Sequence, residues 1–97
     1  MIWVAPIDSG GKPVPALVFE FHRWGMLQVQ VKGPGSVLIA TTREELQNTQ
    51  TIPSGLEIKN SDPIIELHWH GQLWAIGSSP GAAMDLQVQE LTGGFIL

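Results

Sequence analysis

The chain has 97 residues, of which 43% are hydrophobic and 14% charged, and five basic against nine acidic side chains give a formal net charge of −4. This length fits a single domain with a modest core. A phosphate backbone is bound by clustered lysine and arginine, so we expect no nucleic-acid partner.

Three features that would indicate the cellular compartment are missing from the sequence. There is no cysteine, which excludes a disulfide framework and a zinc site built on thiolates. No apolar run approaches the roughly 18 residues of a membrane helix, so we expect no membrane association. The first residues also lack the basic and long apolar regions of a signal peptide. We therefore expect synthesis in a cytoplasm.

Glycines and prolines divide the chain into segments of about four to eight residues, the usual length of β-strands. Four of these segments are predicted strands: 15–22, 26–33, 37–41 and 85–91. Only 42–48 is predicted to be helical, with one or two turns. The sequence therefore predicts one domain over residues 1–97, a small antiparallel β-sandwich or jelly-roll-like barrel with at most one short helix.

The alternation within two strands predicts which side chains face inward. In the strand 15–22, one face is predicted to carry Leu17, Phe19 and Phe21. In the strand 26–33 the inward face carries Leu27, Val29 and Val31. Gln28 and Gln30 then point outward, as in a half-buried strand of period two.

Residues 64–77, "IIELHWHGQLWAIG", are predicted to form a hairpin that turns at Gly71 and Gln72, because glycine is favoured at the first central position of a type II′ turn. This turn pairs Trp69 with Trp74, a strong stabilising unit in sheets. The predicted structural core of the hairpin consists of Leu67, Trp69, Trp74 and Ile76. Glu66, His68 and His70 occupy the opposite, polar face.

The histidines of this segment allow a second reading as a metal site. His68 and His70 point the same way, about 7 Å apart along a strand, and a divalent ion could bridge them. Cupin-type barrels use such a His-x-His pair with a following glutamate and a distant histidine. No carboxylate follows here at that spacing, and His22 could complete the set only if its strand lies alongside. We favour the simpler explanation, that the histidines form the polar side of an alternating strand, and we expect no metal.

Other catalytic patterns are missing from the sequence. There is no cysteine nucleophile and no Gly-x-Ser-x-Gly elbow. The loop 77–85 lacks the Gly-Lys-Ser/Thr ending of a phosphate-binding loop. Aromatic residues are few, which gives little support to a carbohydrate-binding platform. We therefore expect a protein that is not an enzyme and that uses no cofactor.

Several side chains are candidates for contacts between subunits. The glutamine rows of two strands offer uncharged hydrogen-bonding groups, although the same rows would also suit an ordinary solvent face. Trp3 and Trp24 could be core residues or interface anchors. The interface candidates are Trp3, Trp24, Gln28, Gln30, Gln87 and Gln89.

The order of four motifs resembles a family of phage proteins. The motifs are "MLQVQVKGPGSVLIATTREEL", "IPSGLEIKNSDPIIEL", "GQLWAIGSS" and "DLQVQEL". In this order they resemble the small β proteins of tailed-bacteriophage heads that act as capsid decoration (cement) or head-fibre base proteins. The resemblance covers residues 26–91, and related modules occur in tails and baseplates. Residues 1–25 have no counterpart and are a candidate N-terminal arm for contact with a neighbour.

The resemblance implies a structural protein of the virion, one that stabilises the head lattice by adding subunit contacts. Its implied partners are the major capsid protein or another virion protein, together with copies of itself. A trimer is favoured because it would match three-fold sites of a lattice. The alternative is a small cupin-like metal-binding protein or enzyme that uses the His-x-His strand.

Overall fold

The computed structural model describes residues 1–47 and 55–90, which contain six strands and one short helix. The elements are β1 (Ile2–Val4), β2 (Ala16–Lys32), β3 (Ser36–Ala40), α1 (Arg43–Gln47), β4 (Leu56–Lys59), β5 (Ile65–Gly77) and β6 (Ala83–Glu90). The strands form one sheet in the order β1-β6-β2-β5-β3-β4, and all neighbours are antiparallel. The prediction of a small antiparallel β domain with one short helix is confirmed.

The two longest strands bend together and divide the sheet into two parts. Three residues of β2, 22–24, lie between Phe21 and Gly25, where β5 has only His70 between Gly71 and Trp69. Such a bulge bends a strand and increases its twist. The first half-sheet consists of β1, β6, residues 25–32 of β2 and residues 65–69 of β5. The second consists of residues 16–21 of β2, residues 71–77 of β5, β3 and β4.

One core is shared by both half-sheets. Its buried side chains come from every strand except β1, and the largest of them are Phe21, Leu27, Ile39, Ile58, Leu73, Met84 and Leu86. The segment after β1 also enters the core through Ala5, whose amide donates to the Ala82 carbonyl at 2.9 Å. A Cβ placed on Gly77 would lie 2.7 Å from the Ala5 Cβ, so glycine allows this close approach. The inner faces of both half-sheets therefore line the same core.

The predicted hairpin at Gly71 and Gln72 is wrong. β5 runs without a turn from Ile65 to Gly77, and Gly71 lies opposite Phe21 of β2. Gly71 does have the positive φ (87°) that the turn required, but the chain keeps its direction because β2 bends beside it. Trp69 and Trp74 are consequently on opposite faces of one strand rather than paired across two.

The register of β2 also corrects the predicted face of one residue. Leu17 was predicted to face inward with Phe19 and Phe21, but a bulge between Leu17 and Phe19 turns it outward. The candidate arm, residues 1–25, supplies the edge strand β1 and the first half of β2. No helix in the described parts of the chain is long and apolar enough to cross a membrane.

Candidate functional site

The histidines lie on the outer face of β5, as the alternation predicted. His68 and His70 are exposed, and the inward residues Leu67 and Trp69 pack against the core. The ring of His70 stacks on the Trp24 indole, with centroids 5.3 Å apart and an interplanar angle of 28°. This stack places an exposed aromatic ring at the end of the outer face of the first half-sheet.

The candidate metal ligands do not form a coordinating cluster. His22 is exposed in the bulge of β2, and the Glu66 carboxylate accepts a hydrogen bond from the Gln28 amide at 3.2 Å. Within residues 1–47 and 55–90, no group of three or more His, Asp or Glu side chains is arranged to hold a metal ion. The described geometry therefore gives the metal reading no further support.

The four glutamines come together on the outer face of the first half-sheet, which we call the glutamine face. Gln28 of β2 is the register partner of Gln87 of β6, and Gln89 lies one step along, opposite Met26. Gln28, Gln87 and Gln89 are exposed, and Gln30 is half-buried. The sequence predicted two separate glutamine rows, and pairing of β2 with β6 makes them one surface.

Two adjoining depressions follow the glutamine face. The first, of about 330 Å³, is lined by Met26, Gln28, Gln87, Val88 and Gln89. The second, of about 260 Å³, is lined by Gln28, Val29, Gln30, Ile64, Asp85 and Gln87. Because both share Gln28 and Gln87, they form one shallow track across β2 and β6.

The outer face of the second half-sheet has the opposite character. Its apolar face consists of Leu17, Leu38, Trp74 and Ile76. Leu17 is the register partner of Trp74, and Leu38 is the partner of Ile76. Leu17 is 45% exposed, and the other three side chains are partly exposed. Trp74 and Ile76 were predicted to be core residues but lie outward. In the continuous strand β5 they are an odd number of residues from the inward Trp69, whereas the predicted hairpin would have placed them on the same face as Trp69.

Gln72 satisfies the indole N–H groups of both tryptophans of β5. Trp69 donates to its main-chain carbonyl at 2.9 Å, and Trp74 donates to its side-chain oxygen at 2.8 Å. Each indole thus has a hydrogen-bond partner within the chain, as tryptophans with one apolar and one polar side require. The Trp74 ring is left with its apolar surface on the apolar face.

The first turn of α1 contains the clearest electrostatic effect. The Thr41 and Thr42 hydroxyls donate to the Glu45 carboxylate at 2.8 and 3.0 Å, and these bonds hold the pKa of Glu45 below its ordinary value. The Glu45 amide donates back to the Thr42 hydroxyl at 3.4 Å. The Thr42 backbone N–H also donates to the Glu45 carboxylate, and together with the bond from the Glu45 amide this reciprocal arrangement is a capping box, which defines where the helix begins.

The remaining interface candidates have different positions. Trp3 is partly buried and packs against the core, whereas Trp24 is 60% exposed. The apolar face was missed because Leu17 and Trp74 were assigned inward. Residues 73–76 are apolar at both odd and even positions, and this pattern indicates that both faces of the strand are apolar.

Comparison of the chain with protein-family models, with curated proteins and with solved structures finds no match.

Proposed function

We propose that this protein is a structural component of a larger assembly and that it works by binding other subunits through its apolar face. The observation that carries this proposal is that the exposed Leu17 and the partly exposed Trp74 and Ile76 lie together on one outer sheet surface. Contiguous apolar groups on a surface are typical of contact sites between proteins. A partner that covered them would gain about 25 cal/mol for each Å² of apolar surface removed from water.

The chemistry of this face favours a protein partner. The Trp74 indole N–H already donates to Gln72, so covering the ring leaves no unsatisfied donor. The neighbouring Leu17, Leu38 and Ile76 side chains have no polar group to desolvate. Aromatic residues with this combination are enriched at the centres of interfaces.

The resemblance to phage head proteins supplies the form of assembly that we propose. On that proposal the chain is a capsid decoration protein in the virion, and its partners are the major capsid protein and copies of itself. Its action is mechanical, because added contact area between capsid subunits resists their separation. A trimer around three-fold positions of the lattice would repeat one contact three times.

Sedimentation equilibrium over a range of concentrations tests the role of the apolar face. We expect an oligomer whose self-association constant falls about tenfold in Leu17→Thr, because a lost buried leucine contact is worth about 1.5 kcal/mol. Leu56→Thr is the matched control, since Leu56 is 46% exposed on β4 and lies outside the apolar face. A monomeric parent, or equal weakening by both substitutions, would exclude self-association through this face.

The virion role has its own test. Particles purified by density gradient from the phage that encodes the chain should contain it in amounts comparable to a capsid subunit, as measured by quantitative mass spectrometry. A particle reconstruction should then show it on the head, with the apolar face covered. Its absence from purified particles would reject the capsid proposal, whatever the oligomeric state in solution.

A further inference from the structure

The glutamine face has a chemistry that subunit packing alone does not explain. Its centre consists of carboxamides, with Gln28 beside Gln87 across the β2–β6 pair and Gln89 one step along. All four glutamines line the two depressions that follow it, together with apolar side chains and Asp85. Each carboxamide offers two N–H donors and an acceptor oxygen with two lone pairs. A ligand that matches this track must therefore carry closely spaced groups that both donate and accept.

One of these carboxamides is already oriented. The Gln28 Nε2 donates to the Glu66 carboxylate at 3.2 Å, which fixes the direction of the amide group. Its Oε1 is then held in a defined position as an acceptor. Preorganised polar groups of this kind bind with a smaller entropy cost than freely rotating ones.

The acidic character of the face selects against anionic ligands. None of the residues that line the two depressions is a lysine or arginine, and Asp85 lies in the second depression with Glu66 beside Gln28. Phosphates, sulfates and uronic acids would meet these two carboxylates, and the cation beside them, the Met1 ammonium, is already paired with Asp85 at 3.9 Å. The ligand expected here therefore carries no negative charge.

An aromatic platform stands at the end of the same face. Trp24 is 60% exposed, and its stack on His70 holds the indole in place beside the row that contains His68. A fixed aromatic surface packs well against the C–H face of a pyranose ring, while the ring hydroxyls point to the sides. An extended peptide, by contrast, adds to an exposed edge of a sheet, whereas β6 and β2 are both inner strands.

From these observations we propose that the glutamine face binds a neutral oligosaccharide, with sugar hydroxyls hydrogen-bonded to Gln28 and Gln87 and one pyranose ring packed on Trp24. This site lies on the first half-sheet and the apolar face on the second, so the proposal does not depend on the proposed assembly role. A virion protein with both faces would hold to the particle with one and contact a glycan with the other.

Isothermal titration calorimetry with defined probes tests the proposal. The neutral probes are cellohexaose, maltohexaose and N-acetylchitohexaose, and hexagalacturonate is the anionic comparison. We expect at least one neutral probe to bind with a Kd below about 1 mM, the weak end of specific binding, and hexagalacturonate to bind at least tenfold more weakly. Failure of all three neutral probes, or equal binding of the anionic one, would overturn the proposal.

Variants locate the binding to the face. Trp24→Ala and the double variant Gln28→Ala/Gln87→Ala should each raise the Kd at least tenfold and melt within a few degrees of the parent, because these side chains are exposed. Leu56→Ala is the control and should bind like the parent. Binding that persists in both variants would place the ligand elsewhere. A change of oligomeric mass in the double variant would show instead that a second copy of the chain occupies the face.

Discussion

Gly25 occupies the position where a single added methyl group should disturb the fold most. It lies at the bend of β2, opposite Trp69 of β5 on one side and Glu90 of β6 on the other. A Cβ built there would lie 2.7 Å from the Gln89 carbonyl oxygen and 2.8 Å from two ring carbons of Phe21. Ordinary van der Waals contact begins at 3.4 Å, so both neighbours would have to move.

The cost of Gly25→Ala follows from what those neighbours are. The Gln89 oxygen belongs to the backbone of β6, and Phe21 is 2% exposed within the core, so neither can rotate away into solvent. Overpacking a well-filled core costs about 1–3 kcal/mol, and a backbone contact places this variant near the upper value. Gly25 is not among the residues with positive φ, so the cost is steric. At about 4–8 °C for each kcal/mol, the melting temperature should fall by about 12–24 °C.

Urea unfolding followed by circular dichroism measures this free energy, with an unchanged m-value as the check that both proteins unfold in the same way. Gly71→Ala is the matched control, because a Cβ there meets nothing within 4 Å but the residue has a φ of 87°. It should cost about 1–2 kcal/mol for the left-handed backbone alone. In Gly25→Ala/Phe21→Leu the smaller side chain should relieve part of the clash, so the double variant should lose less stability than the two single losses added together. A Gly25→Ala protein as stable as the parent would refute the packing described at the bend.

Three other outcomes are expected. An NMR titration should give a pKa for Glu45 below its ordinary value, and Thr41→Val should raise that pKa, because the hydroxyls of Thr41 and its neighbour donate to the carboxylate. Since the folded pKa is lowered, the contribution of these bonds to folding stability is complete above the ordinary carboxyl pKa. It is lost as the pH falls through the folded pKa. Replacing His68 and His70 with glutamine, or adding a chelator at neutral pH, should leave the melting curve unchanged; a chelator-induced loss confined to the parent would identify a metal site. Trp69→Ala should cost about 3 kcal/mol, the lower end for a large aromatic because its side chain is only partly buried, and an unchanged unfolding midpoint would show that it does not support the core.

Local alternation was enough to predict much of the sheet. Leu27, Val29 and Val31 are buried where period two placed them inward, and Gln28 is exposed. Such a pattern depends only on which side of a strand each residue occupies, so it survives without knowledge of the partner strands. The helix was also predicted in place, since 42–48 was the one segment expected to be helical and α1 spans Arg43–Gln47.

The site depended on pairings that sequence spacing does not reveal. Trp24 stacks on His70 only because the bulge of β2 brings residues 22–24 beside β5. The glutamines become one surface only because β2 pairs with β6 over residues 25–32. Gly71 carried a true signal for positive φ, but whether such a residue turns the chain or bends a strand is decided by its long-range partner.

Bulge length explains which face predictions succeeded. Between Phe21 and Gly25 β2 advances four residues while β5 advances two, from Gly71 to Trp69. Because the number of extra residues is even, the odd-numbered residues of β2 that flank the bend face inward both before and after it. Between Leu17 and Phe19 β2 advances two residues while β5 advances one, from Trp74 to Leu73, and this single extra residue reverses the face. The apolar face exists because of that odd insertion, since a strictly alternating β2 would have turned Leu17 into the core and left Trp74 without its neighbour.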